Sequence, residues 1–313
     1  SQLKILVDQT PDDYQLRLNC GKFMCEVGLD DDALKNAEKC LKAIKTGRWR
    51  DERKFSKNHT YLLLAHLYRT QSMYQYAISY YEKANDELEL YGLEGSYSGL
   101  ANAYSDMGKY NEALKYHKKS LDTKQCVEDK SEAGQASIAK TYNSMGSIYR
   151  RQGKLDDALK CMEKSLEIRL NLSPGSKRDR YVATNYVSTA ALYFEKGMPS
   201  KTLDYYIRAL EIYLNQYGEL HPTVATVYYN MASVHSSLKE YDKALQCAEQ
   251  ALAIQQHIKG EYSTECAEIY KMMADLYTKQ KNHKAALKCR NKIKDITFFA
   301  LHIGSDDSDL EDV

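Results

Sequence analysis

The sequence predicts an all-α protein of the α-α superhelix class, a solenoid of about seven helix-turn-helix repeats followed by a C-terminal capping helix. Three observations predict it. The chain is self-similar, with seven segments that align without a gap. It holds only 4 Pro and 15 Gly in 313 residues, which leaves few breaks between long helices. Within each segment, small or apolar residues recur at i, i+3, i+4 and i+7, one face of a helix.

Each element follows from the aligned segments. A degenerate copy, "RLNCGKFMCEVGLDDDAL", starts at Arg17. Then come "YLLLAHLYRTQSMYQYAI" from Tyr61, "YSGLANAYSDMGKYNEAL" from Tyr97 and "YNSMGSIYRRQGKLDDAL" from Tyr142. The last three are "YVSTAALYFEKGMPSKTL" from Tyr186, "YYNMASVHSSLKEYDKAL" from Tyr228 and "YKMMADLYTKQKNHKAAL" from Tyr270. In the first helix of a copy the stripe is Tyr142, Met145, Gly146 and Tyr149. Gly28, Gly108, Gly153 and Gly197 follow it as stop signals. Asn or Asp, such as Asp156, is expected to cap the second helix, whose stripe is Ala158, Leu159, Met162, Ser165 and Leu166. Residues 1–16 read as a lead-in helix or partial repeat and 17–297 as the repeat array. Within "KDITFFALHI" an aromatic capping helix is expected to end at 298–304, and 305–313 form an acidic tail.

Composition narrows the function. The net charge is +1, and removing the five tail carboxylates (Asp306, Asp307, Asp309, Glu311 and Asp312) leaves residues 1–304 at +6. That mild surplus does not demand nucleic acid. Trp49 with Arg48, Arg50 and Arg53 is the one basic stretch suited to phosphate or RNA. Eight cysteines form no CxxC pair. Cys161, Cys247 and Cys289 fall at one repeat-equivalent position, which speaks for packing rather than metal or redox chemistry. Cys20 and Cys25 share a helical face only approximately. No nucleotide, zinc-protease or serine-hydrolase motif occurs, so no catalytic residue, metal ligand or cofactor is expected and the chain is read as a non-enzyme. There is no apolar run of membrane-spanning length and no signal peptide, so the expected compartment is the cytoplasm. The chain begins at Ser1 with no Met, as a processed chain or an excised fragment would.

A small residue, Tyr three later, Ala nine after that and a small residue seven further on is the pattern of the tetratricopeptide repeat, and the array resembles that family. Tyr61, Tyr97, Tyr142, Tyr186, Tyr228 and Tyr270 stand where the family often has Trp, which accounts for much of the surplus of 27 Tyr. The second-helix residues Ala33, Ala77, Ala113, Ala158, Thr202, Ala244 and Ala286 are spaced 44, 36, 45, 44, 42 and 42 apart. Copies near 42, with "GELHPTVATVYYNMASVH" between two of them, resemble the kinesin-light-chain and nephrocystin-3 type. His221 and Pro222 are then punctuation ahead of a new first helix, not an active site.

The resemblance implies a concave groove lined by first helices and an adaptor or scaffold function in protein recognition. The groove positions it implies are Asn102; Lys140, Asn143, Ser147, Arg150 and Arg151; Thr184; Thr226, Tyr229 and Asn230; and Lys271. Lys279, Glu268 and Asp275 fall on the same face of the last copy. Amides suit a peptide backbone and the cations suit carboxylates, so the expected partner is a protein or peptide segment of acidic character. The acidic tail could itself occupy such a groove. The carboxylate clamp of chaperone-tail binders is not supplied by any three successive copies. The alternative is a ligand-sensing segment of a larger signalling protein. An RNA-binding scaffold and a regulatory enzyme subunit are the competing classes.

Overall fold

The computed structural model describes residues 19–20, 23–24, 28–46, 53–86, 90–126 and 131–303. The lead-in 1–16, the acidic tail, Cys25 and the basic stretch around Trp49 lie outside the described residues. Among the described residues every regular element is helical. The chain divides into two compact units, Ser1–Cys161 and Met162–Val313. The first holds α1 (Asp30–Lys45), α2 (Arg53–Thr70), α3 (Tyr74–Asn85), α4 (Leu90–Asp106), α5 (Tyr110–Cys126), α6 (Glu132–Arg151) and the start of α7 (Leu155–Leu170). The second holds the rest of α7, then α8 (Ser176–Glu195), α9 (Pro199–Tyr217), α10 (Pro222–Ser237), α11 (Tyr241–Lys259), α12 (Thr264–Lys279) and α13 (His283–Ile303).

In each unit neighbours in sequence pack on each other. In the first, α2 lies on α3 and α4 on α5; in the second, α8 lies on α9, α10 on α11 and α12 on α13. The aligned second-helix residues explain the close approach: Ala33, Ala77, Ala113, Ala158, Thr202, Ala244 and Ala286 are all buried. Thr202 takes the Ala slot without penalty because its hydroxyl donates to the Met198 carbonyl at 3.1 Å. In α4, Gly99 admits the Tyr81 ring of α3: a Cβ there would stand 2.3 Å from that ring.

The turn inside each pair rests on one left-handed residue, five before the buried Ala or Thr. It is Gly28, Gly108, Gly153 and Gly197 in four copies, but Ser72, Lys239 and Lys281 in the other three, with φ of 61°, 63° and 62°. The hydrogen bonds are those of a Schellman closure, as in Glu240 N to His235 O at 3.0 Å and Lys239 N to Ser236 O at 3.1 Å. In four second helices this closure stands in place of a side-chain cap, whereas Asn282 caps α13 as expected, its Oδ1 accepting from the Ala285 N–H at 3.1 Å. The N-cap residues Leu29, Met73, Met198 and Glu240 make no capping bond, and Asp156 lies inside the first turn of α7.

The Asp and Asn of these second helices serve the next repeat instead. Gln71 Nε2 donates to Asp31 Oδ1 at 3.0 Å, Gln152 to Asn111 Oδ1 at 3.0 Å, and Gln280 to Asp242 Oδ1 at 2.7 Å. All three clamps join the same two repeat positions.

Tyrosines fill the space beside the small residues. Tyr80 stacks on Tyr68, Tyr116 on Tyr104 and Tyr205 on Tyr193, with ring centres 5.3 to 5.5 Å apart. The same slot is held by Asn36 in the first copy and by Cys161, Cys247 and Cys289 in three others, these cysteines being buried at Cys161 and Cys289. Their role is packing. The stretch expected to cap the array is the second half of α13 itself. With no Gly or Pro between His283 and Ile303, nothing ends the helix earlier.

Candidate functional site

The first helices present two polar faces, one in each unit. In the second unit α10 and α12 flank a cleft of about 450 Å³. Tyr229, Ser233 and Ser236 line it from α10, one helical row at i, i+4 and i+7. Glu268, Lys271, Asp275 and Lys279 line it from α12, alternating in sign, with Met272 and Leu276 as the apolar part of the wall.

His221 sets where α10 begins. Its Nδ1 accepts from the Thr223 backbone N–H at 3.3 Å, and its ring stacks on Tyr217 at 4.2 Å. The histidine caps a helix, and Pro222 supplies a first-turn residue with no N–H to satisfy. Ser263 caps α12 through the Cys266 N–H at 3.4 Å. At the far end of α10, His235 Nδ1 meets Glu240 Oε2 at 2.7 Å. That hydrogen bond and the neighbouring Lys243 hold the Glu240 carboxyl below its ordinary range.

The cleft's charges retain binding capacity. Among the described residues, Glu268, Lys271, Asp275 and Lys279 form no ion pair with one another. Lys279 Nζ donates to Ser236 Oγ at 3.2 Å. Burial, and then the nearby Glu268 charge, pushes the Tyr229 phenol up, so it stays protonated and can donate a hydrogen bond.

Of the eleven expected groove residues, Tyr229 and Lys271 meet in this cleft. Thr226 is exposed on α10, and its hydroxyl is spent on the Pro222 carbonyl at 3.0 Å. Asn230 is half-buried beside it. Thr184 on α8 donates to the Arg180 carbonyl at 2.9 Å and lies 3.3 Å from the Tyr213 hydroxyl.

In the first unit, Lys140, Ser147, Arg150 and Arg151 are exposed on α6, with Asn143 half-buried among them. Ser147 Oγ donates to the Asn143 carbonyl at 3.1 Å. Asn102 is half-buried on α4. Sequence reasoning passed over Ser233 and Ser236, although their spacing from Tyr229 places them on its row.

Among the described residues no group of three or more His, Cys, Asp or Glu side chains is placed to hold a metal ion. Nor is any described helix long and apolar enough to cross a membrane.

Among curated proteins, no sequence is significantly similar to the chain. Solved structures share its fold. BtubC (BKLC) from P. vanneervenii matches with a TM-score of 0.58 at 18% identity, over 87% of this chain and 92% of its own. The quorum sensor NprR from B. thuringiensis, in its apo form, matches with a TM-score of 0.59 at 14% identity, over 91% and 87%. A kinesin light chain-like TPR protein of Podosopora anserina matches with a TM-score of 0.56 at 16% identity, over 66% and 95%. These identities speak for the fold alone. Tetratricopeptide repeat models match residues 59–86 and 95–125, and overlapping spans 137–215, 181–257 and 223–296 run through the later copies. The chain belongs to the tetratricopeptide repeat family, and its fold is the all-α repeat solenoid of that family.

Proposed function

We propose that the chain is a non-catalytic scaffold that recognises a protein or peptide segment on its first-helix faces. The observation that carries this reading is the α10–α12 cleft, where two lysines, two carboxylates and a protonated phenol, in no ion pair among the described residues, stand beside the apolar Met272 and Leu276. Such a wall offers donors and acceptors in alternation, which suits a polypeptide backbone and side chains of both signs. The acidic preference belongs to α6, where Lys140, Arg150 and Arg151 are exposed on one helix. In the cleft, Glu268 and Asp275 balance the two lysines. Recruitment of a partner into a larger assembly, in the cytoplasm, is the biological role this recognition serves.

A second reading is a ligand-sensing segment of a signalling protein. It is favoured by the size of the cleft, which falls in the range of small-molecule and short-peptide sites, about 300–1,000 Å³. One experiment separates these. Peptides are selected from a random library against the intact chain. Binding is then measured to a Tyr229→Ala, Lys271→Glu variant and to an Asn143→Ala, Arg150→Glu variant. The scaffold reading expects selected peptides to lose affinity for at least one variant, with acidic sequences lost on the second. Peptides that bind both variants as they bind the parent chain would remove both faces as sites. Selection of nothing, with a small anionic or zwitterionic metabolite bound in the cleft, would favour the sensor.

A further inference from the structure

Repeat-equivalent positions show where one junction departs from its neighbours. Eleven residues after the buried second-helix Ala, two copies bring a cation to the first helix of the next repeat. In the third copy this residue is Lys124, and its ammonium ends on oxygen. Its Nζ donates to Thr141 Oγ1 at 2.7 Å and to the Ser137 carbonyl at 3.4 Å. In the fourth copy it is Arg169, near the end of α7, and only 3% of its surface is exposed. Its Nε donates to Ser165 Oγ at 3.4 Å. The rest of the guanidinium lies against a ring face, 4.6 Å from the centre of Tyr181 on α8.

The same ring carries a second cation. The Arg180 guanidinium stands 5.0 Å from its centre, and Arg180 Nη2 is 3.4 Å from the Tyr181 hydroxyl. Among the described residues, neither arginine is in an ion pair with a carboxylate, and the groups that act on them are tyrosines. A buried guanidinium with no counter-charge is costly, and ring stacking repays only part of that cost. Burial pulls the Arg169 pKa below its ordinary value, the signature of a cation that lacks a partner. Gly175, at the N-cap of α8, offers no side-chain cap, and the one carboxylate of the first turn, Asp179, makes no ion pair with either arginine among the described residues. Tyr181 is 42% exposed, which leaves the cluster open to a ligand.

We propose that the α7–α8 junction is a recognition site for a doubly charged oxyanion of the phosphate class, held by Arg169 and Arg180 with the Tyr181 hydroxyl as a third donor. Two cations without counter-charge match a dianion better than a single carboxylate, and planar guanidinium forks suit phosphate oxygens. The site shares no residue with the faces proposed for peptide recognition. It would make binding at this junction depend on a phosphate, either free or carried as a monoester on a bound segment.

The test uses the full chain with nitrogen-15-labelled arginine. Inorganic phosphate is titrated against sodium chloride of equal ionic strength while the Arg169 and Arg180 Nε–H resonances are followed. The expected result is a saturable shift of both with phosphate and none with chloride. Arg180→Gln changes an exposed side chain and should leave the fold intact while weakening binding at least tenfold. Tyr181→Phe, which keeps the ring, should weaken it several-fold. A Gly-phosphoserine-Gly peptide and its unphosphorylated form make the second arm. Tighter binding of the phosphorylated form than of inorganic phosphate assigns a monoester, and equal binding assigns free phosphate. Shifts that do not saturate, shifts that chloride reproduces, or an Arg180→Gln variant that binds phosphate as the parent does would each overturn the proposal.

Discussion

Replacing His117 with Met should remove a large acid-sensitive contribution to the stability of the first unit. His117 lies in α5, only 2% exposed, and neither ring nitrogen has a hydrogen-bond partner among the described residues. Burial, and then the Lys124 charge, takes its pKa from 6.5 down to about 4. The folded state therefore refuses a proton that the unfolded chain accepts, so stability is complete above pH ~6.5 and is lost as pH falls towards 4. At 1.36 kcal/mol per pH unit, the full loss is about 3 kcal/mol, and about 2 kcal/mol of it is reached by pH 5. At neutral pH the imidazole N–H still lacks an acceptor, so Met should also raise stability there by about 1 kcal/mol once repacking is subtracted. Met is the residue at the equivalent position of the fourth copy, Met162, which is buried. The assay is urea unfolding of parent and His117→Met chains at pH 7 and pH 5. Because repeat arrays need not unfold in one step, amide exchange through α5 is measured alongside. Carboxylates titrate in both chains, so the difference between them isolates the histidine. Equal pH dependence in the two chains, or an imidazole that titrates near 6.5 by NMR, would refute the reasoning.

Three further outcomes follow from repeat geometry. Gly99→Ala should cost about 1–3 kcal/mol, because the new methyl would stand 2.3 Å from the Tyr81 ring; the loss should shrink in a Tyr81→Leu background, as a double-mutant cycle in chemical denaturation would show. Lys239→Gly should stabilise the second unit by about 1 kcal/mol, since φ is 63° there and glycine adopts it without strain, read as a raised thermal midpoint. Gln280→Ala removes the bond to Asp242 and should cost about 1 kcal/mol, seen as faster amide exchange in α12 and α13 with α8 unchanged.

The packing positions were legible because geometry leaves them little choice. Two helices that approach closely admit only small residues at the contact, so an aligned Ala identified both the element and its buried face. The left-handed turn was legible only where Gly occupies it. Ser72, Lys239 and Lys281 adopt the same conformation under pressure from the flanking helices, and nothing in their residue type announces it. The Asp and Asn near second-helix starts read as caps, since a cap and an inter-repeat clamp use the same acceptor. Which one forms depends on a Gln some 40 residues on. On the first-helix faces, polarity alone did not separate available groups from spent ones. Ser147, Thr184 and Thr226 turn their hydroxyl protons back to the carbonyl four residues earlier, a rotamer choice that residue type does not encode.

Variation between copies carries different weight at different slots. Three residues after the buried Ala or Thr, the first copy has Asn36 and the other six use Tyr80, Tyr116 and Tyr205 or else Cys161, Cys247 and Cys289. The tyrosines lie under cations, with Lys83 4.7 Å from Tyr80, Lys119 5.3 Å from Tyr116 and Arg208 5.8 Å from Tyr205. The thiols need no such partner, and burial pushes Cys247 and Cys289 up, away from the reactive thiolate. Both choices bring an apolar group to an apolar slot, so exchanging them alters packing and little else. Eleven residues after the Ala or Thr, the slot changes charge instead: Ile44, Leu88, Lys124, Arg169, Tyr213, Gln255 and Thr297 occupy it in turn. A repeat stabilised by its neighbours gains nothing from exchanging a buried apolar side chain for a guanidinium with no carboxylate to meet it. Packing accounts for the tyrosine and cysteine slot, whereas the arginine at the α7–α8 junction, which meets no carboxylate among the described residues, is accounted for by the anion proposed to bind there.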